Sequence, residues 1–257
     1  MRSYFFNVVF ISIALVFLTN CATKTSENET PRLSAAEMYT NASKYFQNKQ
    51  YKLAASSFAE ITYQYPYYQW AARSRIMELY SYYLLQDYDA VIYAADQYIN
   101  MYPASNEISY VYYMKALAYY EQIDIPYRDQ EITHTAKQAF LTLVTNFPKS
   151  EYSKDGKIKL ELIDDHLAAH EMIVGRFYMN TGDILAAITR FRTVVEQYST
   201  TSQIEEALHR LVEGYVFLGV VEEAKAHAAV LHHNYPNSTW YPSSYELIQN
   251  SLKPSVN

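Results

Sequence analysis

The chain has 257 residues, half of them apolar, a formal net charge of −6 and a single cysteine. These totals exclude a disordered chain, an internal disulfide and the basic footprint of a nucleic-acid binder. Only five glycines occur, all from Gly156 onward, too few for the turns of an all-β protein, while Ala, Leu, Glu and Lys form long helix-compatible blocks. The expected fold class is all-α.

In chain order, Met1-Arg2-Ser3 leads into an apolar run from Phe5 to Leu18. At ~1.5 Å per residue that run is roughly 21 Å long, short of a ~30 Å bilayer core, so residues 1–20 read as a secretory signal removed from the mature chain. The segment Leu18-Thr19-Asn20-Cys21 resembles the lipobox of bacterial lipoproteins, although Asn20 replaces the small residue usual before the cysteine. That resemblance makes Cys21 the acylated N-terminus. Ala22, where an aspartate would mean inner-membrane retention, implies the outer membrane. Residues 21–33 contain the polar stretch "ATKTSENETPR" and read as a flexible tether.

From residue 34 the chain repeats itself. The first unit offers Met38, Ala42 and Tyr45, then Ala54, Phe58 and Pro66; the second offers Tyr82, Val91, Ala95 and Pro103, with Arg75, Glu78 and Leu79 off pattern. The third gives Tyr112, Ala116 and Tyr119, then Ala136, Phe140 and Pro148 after a turn lengthened by about eight residues. Gly175, Tyr178, Ala187 and Phe191 mark the fourth, and Leu208, Leu211, Tyr215, Ala224 and Pro236 the fifth. These registers match the tetratricopeptide pattern, in which no helix pair buries its apolar face alone. The predicted architecture is a superhelical solenoid of about five helix pairs: units 1–3 over 34–150, units 4–5 over 151–241, and a tail over 242–257. One continuous helix is predicted from about Ser153 to Met179, stopped by Gly182, with Asp183 as the next N-cap.

Most of the 28 tyrosines lie between Tyr39 and Tyr127. With Tyr112 and Tyr119 assigned to the core, Tyr110, Tyr113 and Tyr120 fall on the groove side of the third unit, as do Tyr39 and Phe46 in the first and Tyr80 and Tyr83 in the second. Tyrosine standing in for leucine is the plain account. The functional one is an aromatic channel that docks an extended peptide, because a phenol offers an apolar body with a polar tip. The corresponding positions of units 4 and 5 are Met172, Arg176, Met179, Glu206, His209 and Glu213, a mixed surface suited to a different partner.

Nucleotide-binding, hydrolase and zinc-protease motifs are missing, so neither an enzyme nor a cofactor is expected. His166 and His170, four residues apart beside Asp164 and Asp165, could hold zinc; a solvated helix face accounts for them more simply, and no metal is expected.

Together the lipobox, five repeat units, the closers "YPYY", "YPAS", "FPKS" and "YPNS", and the long third turn "EQIDIPYRDQEITHTAKQAF" resemble the BamD family, lipoproteins of the β-barrel assembly machinery. The segment "GDILAAITRFRTVVEQY" is similar to its alphaproteobacterial members. The resemblance implies a non-enzymatic scaffold held by its lipid anchor at the periplasmic face of the outer membrane, working with other assembly lipoproteins. It also implies that the N-terminal units meet the C-terminal segments of unfolded outer-membrane proteins, with Tyr65 at a family substrate-contact position, and Tyr39, Tyr80, Tyr83, Tyr113 and Tyr120 as candidate peptide contacts. The C-terminal units would dock the last POTRA domain of the barrel-forming subunit, with Arg190 at a family contact position. A pilotin or a cell-wall enzyme adaptor would share anchor and repeats but lack the insert at Glu121 to Thr133.

Overall fold

The computed structural model describes residues 33–253; the predicted signal segment, Cys21 and the tether up to residue 32 lie outside the described residues. Among the described residues there are eleven α-helices and no strand: α1 (Ala35–Gln47), α2 (Tyr51–Gln64), α3 (Ala71–Leu84), α4 (Tyr88–Met101), α5 (Ile108–Tyr120), α6 (Glu131–Asn146), α7 (Glu151–Thr181), α8 (Ile184–Gln197), α9 (Ile204–Phe217), α10 (Val221–Asn234) and α11 (Trp240–Ser251). Each helix packs against the next in the chain, giving five hairpins and a closing helix. None of these helices is long and apolar enough to cross a membrane.

Four of the five hairpins turn by one device. A residue with positive φ stands at Lys49 (59°), Gln86 (58°), Gly182 (88°) and Gly219 (75°). In every case the next backbone N–H bonds back to a tyrosine carbonyl: Gln50 to Tyr45 at 2.9 Å, Asp87 to Tyr82 at 3.1 Å, Asp183 to Tyr178 at 2.9 Å and Val220 to Tyr215 at 2.9 Å. This is the closure that satisfies the last carbonyls of a helix ending in a left-handed residue. Five residues beyond each positive-φ position stand Ala54, Val91, Ala187 and Ala224, all fully buried. The turn therefore sets the register in which the second helix meets the first. Asp183 does occupy the N-cap position of α8, but its side chain makes no capping bond there and instead accepts from Thr181 Oγ1 at 3.3 Å.

Small residues fall where helices approach most closely. A Cβ placed on Gly175 would lie 2.5 Å from the Phe191 ring, and one on Gly214 would lie 2.8 Å from Ile188. The second hairpin departs from the pattern with a buried ion pair: Arg75 Nη1 bonds Glu78 Oε2 at 2.8 Å, with those side chains only 14% and 6% exposed. Burial pushes the Glu78 carboxyl above its usual range, against the pull of Arg75. Two of the residues that break the repeat signature in the sequence, Arg75 and Glu78, thus pair with each other inside the fold, and the third, Leu79, is fully buried.

Helix α7 runs 31 residues, about 46 Å at 1.5 Å per residue, and ties its neighbours together through charged side chains. Asp164 pairs with Lys137 of α6 at 2.6 Å. Asp165 accepts from Ser202 N at 2.8 Å and Ser202 Oγ at 2.9 Å, tying the α8–α9 connection. Glu171 pairs with Arg190 of α8 at 3.2 Å, and Arg176 reaches Glu206 of α9 at 3.1 Å.

Where the sequence predicts a tail over 242–257, residues 240–251 form α11. Its Ile248 and Ser244 are buried, and Ile248 packs with Val212, Ala224 and Ala228. A terminal hairpin needs a cap for its exposed apolar side, and Pro242 is tolerated because it sits in the first turn, where its missing N–H costs nothing. Ser244 Oγ also lies 2.8 Å from His209 Nδ1.

The Gln86→Gly variant is expected to raise stability by roughly 1 kcal/mol, because a non-glycine residue in the left-handed region costs about 1–2 kcal/mol. Gly175→Ala is expected to lower it by about 1–3 kcal/mol through overpacking. Urea unfolding midpoints moving in the opposite order would contradict this reading of the turns and close approaches.

Candidate functional site

The tyrosines predicted to line a groove occupy the first helices of successive hairpins, and several bridge them. The Tyr80 ring lies 5.8 Å from Phe46, joining α3 to α1. Tyr110 and Tyr113 of α5 lie 5.3 and 5.4 Å from Tyr152 in the first turn of α7. Tyr113 donates its hydroxyl to Asp155 Oδ2 at 2.8 Å, and Tyr83 donates to Glu121 Oε1 at 3.3 Å. These rings are half-buried.

Proximity shows in their acidity. Burial, followed by the neighbouring Glu121, pushes the Tyr83 phenol up to about 12. Burial followed by Tyr80, Tyr152 and Tyr83 moves Tyr110 up to about 12, and burial with the Asp155 hydrogen bond raises Tyr113 further. All three are neutral hydroxyls at any physiological pH and can donate as well as accept. Among the described residues, no hydrogen bond engages the hydroxyls of Tyr80 or Tyr110, in contrast to those of Tyr83 and Tyr113.

The remaining candidates separate from this cluster. Tyr39 packs edge-on against Phe58 at 5.5 Å and Trp70 at 4.7 Å. Tyr65, which ends α2, donates its hydroxyl to the Leu33 carbonyl at 3.0 Å. Tyr120 stands edge-on to Phe140 at 6.2 Å with the Lys159 ammonium 4.4 Å above its ring. It borders a pocket of about 500 Å³ between the third-turn insert and α7, lined also by Ile125, Pro126, Leu162 and His166. The insert is held there by a 2.6 Å hydrogen bond between His170 Nδ1 and the Pro126 carbonyl.

In the second half, Arg190 is engaged by Glu171 yet keeps 41% of its side chain exposed. Two positions predicted for the mixed surface are interior instead: Met172 is fully buried and His209 is 6% exposed. Met172 joins the core cluster that includes Phe191, Ala207 and Leu211, and His209 is matched by Ser244 of the unexpected α11. Burial lowers the basicity of His209 and keeps it neutral. His166, His170, Asp164 and Asp165 do not converge, since Asp164 goes to Lys137, Asp165 to Ser202 and His170 to the insert. Among the described residues there is no cluster of three or more His, Cys, Asp or Glu suited to a metal ion.

Sequence reasoning missed Tyr152 and Asp155. Their signal was faint: both follow the Ser150 cap of α7, where the spacing of the repeat places the start of a first helix.

A family described as "YfiO: Outer membrane lipoprotein" matches residues 31–231. The outer membrane protein assembly factor BamD of Rickettsia prowazekii is 39% identical over 233 residues, covering 91% of this chain and 92% of that protein. The protein of the same name from Caulobacter vibrioides is 39% identical over 220 residues, covering 85% of this chain and 72% of the relative. Among solved structures, the TPR2AB-domain:pHSP90 complex of yeast Sti1 aligns with a TM-score of 0.43 at 11% identity, covering 84% of this chain and 82% of that one. The chain belongs to the BamD family of outer membrane protein assembly factors, outer-membrane lipoproteins rather than enzymes.

Proposed function

We propose that this lipoprotein is a two-faced scaffold of the β-barrel assembly machinery, with hairpins 1–3 receiving the C-terminal segments of unfolded outer-membrane proteins and hairpins 4–5 docking a POTRA domain of the barrel-forming subunit. The phenol cluster of Tyr80, Tyr83, Tyr110 and Tyr113 carries the first half of this reading. It puts several amphipathic rings on consecutive first helices, and a strand-like peptide with alternating apolar side chains can lay those side chains between the rings while its backbone bonds to free hydroxyls.

The second half rests on Arg190. Its guanidinium is held in place by Glu171 but remains partly exposed, so it can share a second carboxylate with a partner through the remaining donors of its planar fork. Pre-orientation by Glu171 reduces the side-chain entropy lost on docking. Other lipoproteins of the machinery are expected partners of the same scaffold.

Replacing Tyr80 and Tyr110 together with alanine is expected to weaken binding of synthetic peptides ending in an aromatic residue by roughly tenfold, about 1.4 kcal/mol, with the fold intact by circular dichroism. Titration calorimetry giving unchanged affinity would reject the groove. Separately, Arg190→Glu is expected to release the barrel-forming subunit in a pull-down from solubilised envelopes, while Glu171→Gln retains it; co-purification at the wild-type level through Arg190→Glu would remove Arg190 from the interface.

A further inference from the structure

We propose that the α2–α3 connection, residues 65–70, together with Tyr63 at the end of α2, is an aromatic foot that rests in the phospholipid interface of the membrane. The sequence here is "YQYPYYQW", and two of its rings are wide open, Tyr63 at 83% and Tyr67 at 99% exposed, while Trp70, packed edge-on against Tyr39 at 4.7 Å, keeps 40% of its surface exposed beside them. Residues 61–72 contain no charged side chain. The repeat architecture does not require Tyr67 and Tyr68: the two positions after the closing proline hold no aromatic residue after α4, α6 and α10, whereas the fourth position is aromatic in three of the four connections, as Trp70, Tyr152 and Trp240. The loop is ordered, with Tyr68 N bonded to the Tyr65 carbonyl at 3.0 Å and Ala71 N to the Tyr68 carbonyl at 2.9 Å.

Its location names the occupant. The hydrogen bond from the Tyr65 hydroxyl to the Leu33 carbonyl at 3.0 Å holds the loop beside the residue where the tether joins the body. Leu33, itself 50% exposed, adds to the same apolar edge. The inference rests on the reading of Cys21 as the lipidated residue. From Cys21 to Leu33 the chain advances twelve residues, at most about 40 Å when extended and about 20 Å as a flexible coil. A loop kept that close to a bilayer needs only weak intrinsic partitioning, since tethering makes the contact intramolecular. Tyrosine and tryptophan suit that position, with a ring for the acyl boundary and a hydroxyl or indole N–H for the headgroups. An uncharged foot depends on ring burial rather than on lipid charge.

The two tryptophans make the test internal, because Trp70 lies in the loop and Trp240 at the far end of the chain, in α11. The natively expressed protein, with Cys21 acylation read by intact mass, is reconstituted on phosphatidylethanolamine/phosphatidylglycerol vesicles containing dibrominated acyl chains. Trp240→Phe leaves Trp70 as reporter, and Trp70→Phe leaves Trp240. Trp70 is expected to shift to the blue and lose most of its emission, equally at about 0.1 M and 1 M salt, whereas Trp240 keeps its emission. Adding Tyr63→Ser and Tyr67→Ser is expected to restore much of the Trp70 signal. If the mass shows no acyl group, a maleimide phospholipid coupled to this only cysteine rebuilds the tether, so a failure of the Cys21 reading is seen apart from a failure of the foot. Unquenched Trp70 in the tethered protein would overturn the proposal and assign the loop to a protein partner.

Discussion

One recurring closure governs this molecule: a left-handed residue ends the first helix of a hairpin, and the following N–H returns to a tyrosine carbonyl five residues back. It appears at Lys49, Gln86, Gly182 and Gly219. Because it fixes how the second helix leaves the first, it also fixes which residues meet between them, and the fully buried Ala54, Val91, Ala187 and Ala224 follow at constant spacing. With the hairpins alike in geometry, their first helices line up. Side chains such as Phe46, Tyr80, Tyr113 and Tyr152 then come into ring contact across hairpins that are distant in sequence. An aromatic pair contributes about 0.5–1.5 kcal/mol beyond its buried area, so the rings stabilise the stack that displays them.

That double duty separates the tyrosines by role. Tyr113 spends its hydroxyl on Asp155, and Tyr83 spends its own on Glu121; both hold the insert or the spine in place. Tyr80 and Tyr110 make no hydrogen bond through theirs among the described residues, which is why the proposed peptide site is centred on them. Tyr65 belongs to neither group, for its hydroxyl holds the chain at Leu33 and sets the aromatic loop beside the tether. Tyr65, expected from the sequence to contact substrate, thus has a structural partner within this chain.

Much of this was legible in the sequence because the repeat writes itself in small and aromatic residues. Gly175 against Phe191, Gly182 at its turn and the long α7 all follow from spacing alone. What escaped was whatever depends on contacts between distant segments. Helix α11 is hidden by Pro242, and only the exposed end of the fifth hairpin gives it reason to form. Met172 and His209 look like surface positions until the α7–α9 packing and the Ser244 partner are known. The Arg75–Glu78 pair reads as a broken repeat because each residue is intelligible only beside the other.

The central claim is that the first-helix face, not the outer face of the second helices, receives unfolded client proteins. A photoreactive phenylalanine derivative placed at Tyr80 in one strain and at Tyr93 in another tests it in intact envelopes; Tyr93 lies on α4 and is 66% exposed, so reactivity alone would favour it. Adducts with unassembled outer-membrane proteins at position 80 and none at 93 are the expected result, and the reverse pattern would contradict the account.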